Sequence, residues 1–219
     1  MYYTPYQGNH YLGLPINPNY SMNESYLEAI HRVLVNSLNQ HPRTLVFHAV
    51  LRYPVNWSAD SENTISRFIK AFKAKVAADL VRRQREGKRV HRTEVRYVWC
   101  REVSSSIKEH YHVFFLMNAD TYWQFGRFEN LVPGELTWVL NSAWASAIGI
   151  SESDSAGLVH FCGGVRRVDA RRIAGSHTVE KDGLVRDSFE SVFYWMSYLA
   201  KMDTKHYRDG RRSIGFSLI

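Results

Sequence analysis

The stretch Glu94–Asn118, EVRYVWCREVSSSIKEHYHVFFLMN, decides the fold. Two runs rich in β-branched and aromatic residues, 94–102 and 110–118, flank a polar segment around Ser104 to Lys108, the pattern of a β-hairpin. With the apex near Ser106, Glu102 falls opposite His110 and Cys100 opposite His112. Alternate residues on a strand point the same way, so both imidazoles project from one face while Tyr111 takes the other. Directly opposed residues bring their Cβ atoms to about 4.5–5.5 Å, close enough for Glu102 to join the two rings. Two imidazoles and a carboxylate with open positions suit a divalent ion that must also bind a phosphate oxygen. A His-x-His pair on a strand is more commonly an ordinary surface or packed pair. The carboxylate in register and the apolar run Val113 to Met117 behind it bring the metal reading level with that one.

Working outward, Thr44 to Tyr53 (TLVFHAVLRY) is apolar on both faces and suits a central strand, with His48 read as a packed histidine. His160, farther along, takes the same reading. Asn23 is placed to cap a helix running to about Asn39. Ser61 opens a longer helix to about Glu86, with Ile65, Phe68, Ile69, Phe72, Val76 and Leu80 as its apolar stripe. That helix ends in a basic cluster, Arg82, Arg83, Arg85, Lys88, Arg89 and Arg92. Another helix spans about Pro133 to Ile148. A short strand, Leu158 to Cys162, leads into Gly163-Gly164 and a second basic stretch with Arg166, Arg167, Arg171 and Arg172. The pattern predicts an α+β domain with helices packed mainly on one face of an antiparallel sheet. Residues 1–40 read as an irregular arm followed by a helix, and 41–219 as the main domain.

A last helix, Asp187 to Met202, gathers Phe189, Val192, Phe193, Met196 and Leu199 in one arc. Tyr194, Tyr198 and Lys201 share the opposite arc, stacked at i, i+4 and i, i+3. Phenols presented beside a cation are usable nucleophiles toward a phosphate polarised by a metal. The ordinary alternative is that both rings pack against a neighbouring helix with their hydroxyls outward. Lys plus Arg outnumber Asp plus Glu by 28 to 21, a formal charge of +7, which favours an anionic partner, nucleic acid first. Both basic stretches are candidate contacts to a nucleic-acid backbone. Two cysteines, Cys100 and Cys162, make neither a disulfide framework nor a zinc knuckle. The first twenty residues lack the pattern of a signal peptide, and no run approaches membrane-spanning length, so a soluble cytoplasmic protein is expected.

The order of these features resembles the histidine-hydrophobe-histidine (HUH) endonuclease superfamily of rolling-circle replication initiators. His110-Tyr111-His112 matches its second motif. Tyr194-Trp195-Met196-Ser197-Tyr198-Leu199-Ala200-Lys201 matches the two-tyrosine form of its third, with Ser197 where related motifs often carry Lys. Strand 44–53 matches the first motif loosely. Segment by segment the chain resembles more closely the inovirus-type replication-protein family, also called the YagK/YfjJ C-terminal domain family of phages and prophages. The resembling pieces are Arg96 to Glu102, His110 to Asn118, the Trp144 helix, Gly157 to Phe161 and Arg211 to Ser217.

The resemblance implies a ferredoxin-like sheet carrying the His pair, with Glu102, His110 and His112 holding Mg²⁺ or Mn²⁺. It further implies attack by Tyr194 or Tyr198 on single-stranded DNA or a DNA hairpin at a replication origin, with Lys201 assisting. The product would be a 5′-phosphotyrosine link and a free 3′-hydroxyl that primes replication, with host helicase or replication proteins as further partners. The rival reading is a prophage DNA-binding regulator on the same fold, which needs neither metal nor tyrosine.

Overall fold

The computed structural model describes residues 5–57, 63–104, 107–170, 178–179, 185–186, 188–203, 205 and 209–217. Its elements in chain order are α1 (Glu24–Gln40), β1 (Arg43–Arg52), α2 (Thr64–Arg85), β2 (Arg96–Ser104), β3 (Ile107–Asn118), α3 (Leu136–Ile148), β4 (Val159–Asp169), β5 (Thr178–Val179), β6 (Val185–Arg186), α4 (Phe189–Ser197) and β7 (Ile214–Phe216). The predicted hairpin is β2 and β3. They join a sheet of order β7-β2-β3-β1-β4-β6-β5, in which every neighbouring pair is antiparallel except β4 with β6. The N-terminal arm, expected to be irregular, forms two short ladders, Pro5–Tyr6 with Met22–Asn23 and His10–Tyr11 with Leu14–Pro15. Asn23 caps α1 as predicted, its side chain accepting from the Tyr26 amide.

β1 lies centrally and is buried from Thr44 to Leu51, which is why both of its faces are apolar. Leu45, Phe47, Ala49 and Leu51 pack with α2 and α3 through Phe68, Phe72, Leu140 and Trp144. Val46, with Phe114 and Leu116 of β3, packs with α1 and α4 through Leu27, Leu34, Phe193 and Met196. Helices therefore cover both faces, which corrects the expectation of one helical layer. The cause is the composition of β1 and β3: strands apolar on both sides must bury both sides.

Three local differences bear on the site. β4 does not stop at Cys162 but runs on to Asp169. Its register against β1 shifts between Phe47 and His48, so that Phe47 faces Val165 and His48 faces Cys162. Gly163 and Gly164, with φ of 72° and 73°, fill the resulting bulge in the left-handed region that favours glycine. α2 begins at Thr64 behind a left-handed Asn63, and the Ser61 expected to open it lies outside the described residues. α4 ends at Ser197 and tightens into a 3-10 turn over Tyr198–Ala200, short of the expected Met202.

At the other edge, Gly215 of β7 pairs with Trp99, and a Cβ there would lie 2.4 Å from the indole. Gly215→Ala is therefore expected to displace Trp99 at a cost of about 1–3 kcal/mol, read as a lower urea midpoint at unchanged slope.

Candidate functional site

Hairpin register sets the first half of the site. Glu102 pairs with His110 and Cys100 with His112. One ligand atom each from Glu102, His110 and His112 lies within 4.8 Å of the others. The cluster sits on the sheet face covered by α1 and α4. Glu102 is buried, with Oε2 3.6 Å from His112 Nε2. Burial pushes His112 down to about 4, so its ring is neutral near pH 7 and keeps a lone pair for a cation. The set fits a divalent ion in donor type and in spacing.

His48 is buried, as its strand position suggested, and it also touches the cluster. Its Nε2 lies 3.0 Å from His112 Nδ1, and its ring stacks on Phe114 at 4.4 Å and 9°. Burial pushes His48 down to about 3, with the His112 imidazole adding to the shift. Two neutral rings thus share one hydrogen bond. That bond occupies Nδ1 of His112 and leaves Nε2 toward Glu102. The sequence signal was its alternation with Val50, but its contact with His112 depends on the pairing of β1 with β3, which a motif does not give. Partners that orient a ligating histidine typically contribute 10–100-fold in metal affinity. His48→Ala is therefore expected to weaken Mn²⁺ binding by about that factor in calorimetry. His160, read as packed, is exposed at the start of β4, where Val50 is its neighbour across the ladder.

The second half comes from α4. The Tyr198 ring lies 6.1 Å from the His112 ring, centroid to centroid. Lys201 Nζ donates to Tyr198 Oη at 2.5 Å and pairs with Glu102 Oε2 at 3.3 Å. Lys205 Nζ pairs with the other oxygen, Oε1, at 3.2 Å. Lys201 is buried rather than displayed on an exposed ridge, because the 3-10 turn after Ser197 turns the chain inward. Burial opposes its charge, but the Tyr198 hydroxyl and the Glu102 carboxylate outweigh that and hold its pKa above the ordinary value. It is an ammonium in this setting. Lys205 was missed by sequence reasoning. Its spacing of four from Lys201 was visible, but its burial against Glu102 was not.

Tyr194 stands one helical turn before Tyr198 and is 42% exposed, on the rim of a cleft of about 670 Å³ that Tyr198 also lines. Arg166 is brought to the same cleft: its guanidinium lies 4.2 Å over Trp195 and 3.2 Å from Ser191 Oγ. Among the described residues, the other predicted basic side chains are not brought there. Arg82 and Arg83 clasp Asp79 at 2.6 and 2.8 Å, and Arg82 also holds Glu86. Arg83 further donates to the carbonyls of Thr121 and Gly134, beyond the far end of β3. That places the cluster, including exposed Arg85, Lys88 and Arg89, on the α2/α3 face and away from the histidines. Arg167 turns to that face as well, bonded to the Trp123 carbonyl. Arg171 and Arg172 lie outside the described residues.

The family model for the YagK/YfjJ C-terminal domain matches residues 13–217. The chain belongs to this family. It is similar to the uncharacterized protein YagK of Escherichia coli (strain K12), 28% identical over 203 residues, covering 89% of this chain and 92% of the relative. The uncharacterized protein YfjJ of the same strain is 28% identical over 211 residues, covering 88% and 93%. No solved structure matches the chain significantly. The matched span contains the hairpin, the His48 strand and the Tyr198 turn, so the family resemblance embraces the whole candidate site. None of the helices among the described residues is long and apolar enough to cross a membrane.

Proposed function

We propose that this family member is a metal-dependent endonuclease of the HUH type that nicks and rejoins single-stranded DNA, with Tyr198 as its first nucleophile. The observation that carries the reading is the chain of contacts from the phenol to the histidine pair. Tyr198 Oη meets Lys201, Lys201 meets Glu102, and Glu102 meets His112, each step between 2.5 and 3.6 Å. Supporting it is the run β1-α2-β2-β3-α3-β4 with sheet order β2-β3-β1-β4, an order we read as ferredoxin-like.

A divalent cation held by Glu102, His110 and His112 would supply Lewis-acid polarisation of the non-bridging phosphate oxygens. The chain itself does the rest. Tyr198 Oη bonds to phosphorus as the phosphorus–O3′ bond breaks. The phenolic proton leaves to solvent, and the 3′-oxygen takes one up. Lys201 stabilises the charge that develops on the phenolic oxygen, from a position fixed before the reaction starts. Tyr194, one turn away and exposed, is placed to receive a second strand for rejoining. The setting is the initiation of rolling-circle replication of a phage or mobile element.

The test is incubation with a mixed pool of single-stranded oligonucleotides and Mn²⁺ or Mg²⁺, followed by a denaturing gel. A DNA-linked band that chelator prevents is the expected result. Cleavage without a covalent link would point instead to direct hydrolysis, and neither product would leave a DNA-binding regulator.

A further inference from the structure

We infer that the cleft beside Tyr198 takes a single unpaired nucleobase, that of a nucleotide next to the bond to be cut. This rests on the nicking reading and names a contact that reading does not need. The cleft of about 670 Å³ lies between α4, the sheet and the N-terminal arm that supplies Pro15 and Asn17. That volume falls within the roughly 300–1,000 Å³ of small-molecule sites, and aromatic and polar side chains share its walls about equally.

Ring contacts order the aromatic part of the wall. His48 and Phe114, both lining the cleft, stack on each other at 4.4 Å and 9°. Trp195 stands edge-on to Phe114, 4.7 Å away at 87°. One part of the indole rests against Gly163, where a Cβ would lie 3.5 Å away, and Arg166 stacks over the ring. The glycine bulge in β4 thus lies in ordinary contact with this indole, and it is the positive φ of Gly163, not the space, that calls for glycine. Aromatic platforms beside a cation hold unpaired bases with little regard to sequence, because every base has a π-face.

Beside the Arg166 guanidinium, which is stacked on Trp195, the rim offers a base one carboxylate as hydrogen-bond acceptor. Among the described residues, Glu190 is the one carboxylate lining the cleft. It repels a phosphate, whereas it can accept a hydrogen bond from the exocyclic amine of adenine, cytosine or guanine. Tyr198 lines the cleft on one side and faces His112 on the other. A base seated here thus belongs to a nucleotide whose phosphate reaches the phenolic oxygen.

Binding can be read without cutting, by fluorescence anisotropy of labelled single strands of about 12 nucleotides in EDTA. Base-bearing strands are expected to bind about tenfold tighter, or more, than an abasic strand of equal length. Ser191→Phe, which fills the cleft from α4, should remove that difference, and so should Trp195→Ala. Glu190→Gln should narrow the preference for adenine- or cytosine-bearing strands over oligothymidylate. Equal binding of abasic and base-bearing strands by the wild type would overturn the inference, even if covalent adducts form in Mn²⁺. A base-dependent affinity that survives Ser191→Phe would overturn it too. Base-dependent binding lost in Ser191→Phe, with no adduct under any metal, would leave the cleft standing and remove the nicking reading.

Discussion

Tyr198→Phe is expected to abolish the DNA-linked band, a fall of at least about 10⁴-fold in adduct formation, while Tyr194→Phe still forms it. The substitution removes one oxygen and little else. The ring packs edge-on to Tyr20 at 5.8 Å and faces His112 at 6.1 Å, contacts a phenylalanine keeps. Lys201 loses one acceptor but retains Glu102. Stability should therefore change little, and an unchanged melting temperature separates lost chemistry from lost folding. Tyr194→Phe should form the first adduct and then fail to release a rejoined strand, so the linked species accumulates. A gel on which the Tyr198→Phe variant still becomes linked to DNA would remove Tyr198 as nucleophile. If Tyr194→Phe alone erased the band, the two tyrosines would exchange roles, and the Lys201 contact would be a matter of packing.

The parts legible in the sequence are those governed by local geometry. The register of Glu102 with His110 followed from side-chain alternation and a short turn. Asn23 as a helix cap followed from residue type and position. What failed needed knowledge of how distant elements pair. TLVFHAVLRY showed a strand apolar on both faces, yet nothing in it says which helices cover which side. His48 read as core because a strand histidine among apolar residues is usually that, and its bond to His112 exists only because β1 lies beside β3. Lys201 was placed on an exposed ridge by extending the α-helix to Met202. The chain tightens at Tyr198 instead, and a change of pitch moves a side chain to another face. The Arg82 cluster illustrates the common fate of a charge run. Asp79, inside the same helix, claims its first two members.

Removing the carboxylate should have the largest effect on stability. Glu102→Ala is expected to cost about 3–5 kcal/mol, because it leaves buried ammonium groups without their anion. The side chains of Glu102, Lys201 and Lys205 are 4%, 7% and 0% exposed, so water cannot replace the lost partner. The same variant should also lose the stabilisation that excess Mn²⁺ gives the wild type, about 2.7 kcal/mol at a hundredfold excess over Kd. Lys205→Met provides the contrast. It removes one cation, keeps the volume, and leaves Glu102 paired with Lys201 beside His112. Its stability loss should be smaller than that of Glu102→Ala, and its Mn²⁺ affinity should rise, since an incoming dication then shares the carboxylate with one ammonium instead of two. Thermal unfolding of the three proteins with and without Mn²⁺ measures both quantities at once. Wild-type-like melting of Glu102→Ala would mean the carboxylate is not the anion that holds these lysines. Weaker Mn²⁺ binding by Lys205→Met would mean that Lys205 shapes the site rather than competing for it.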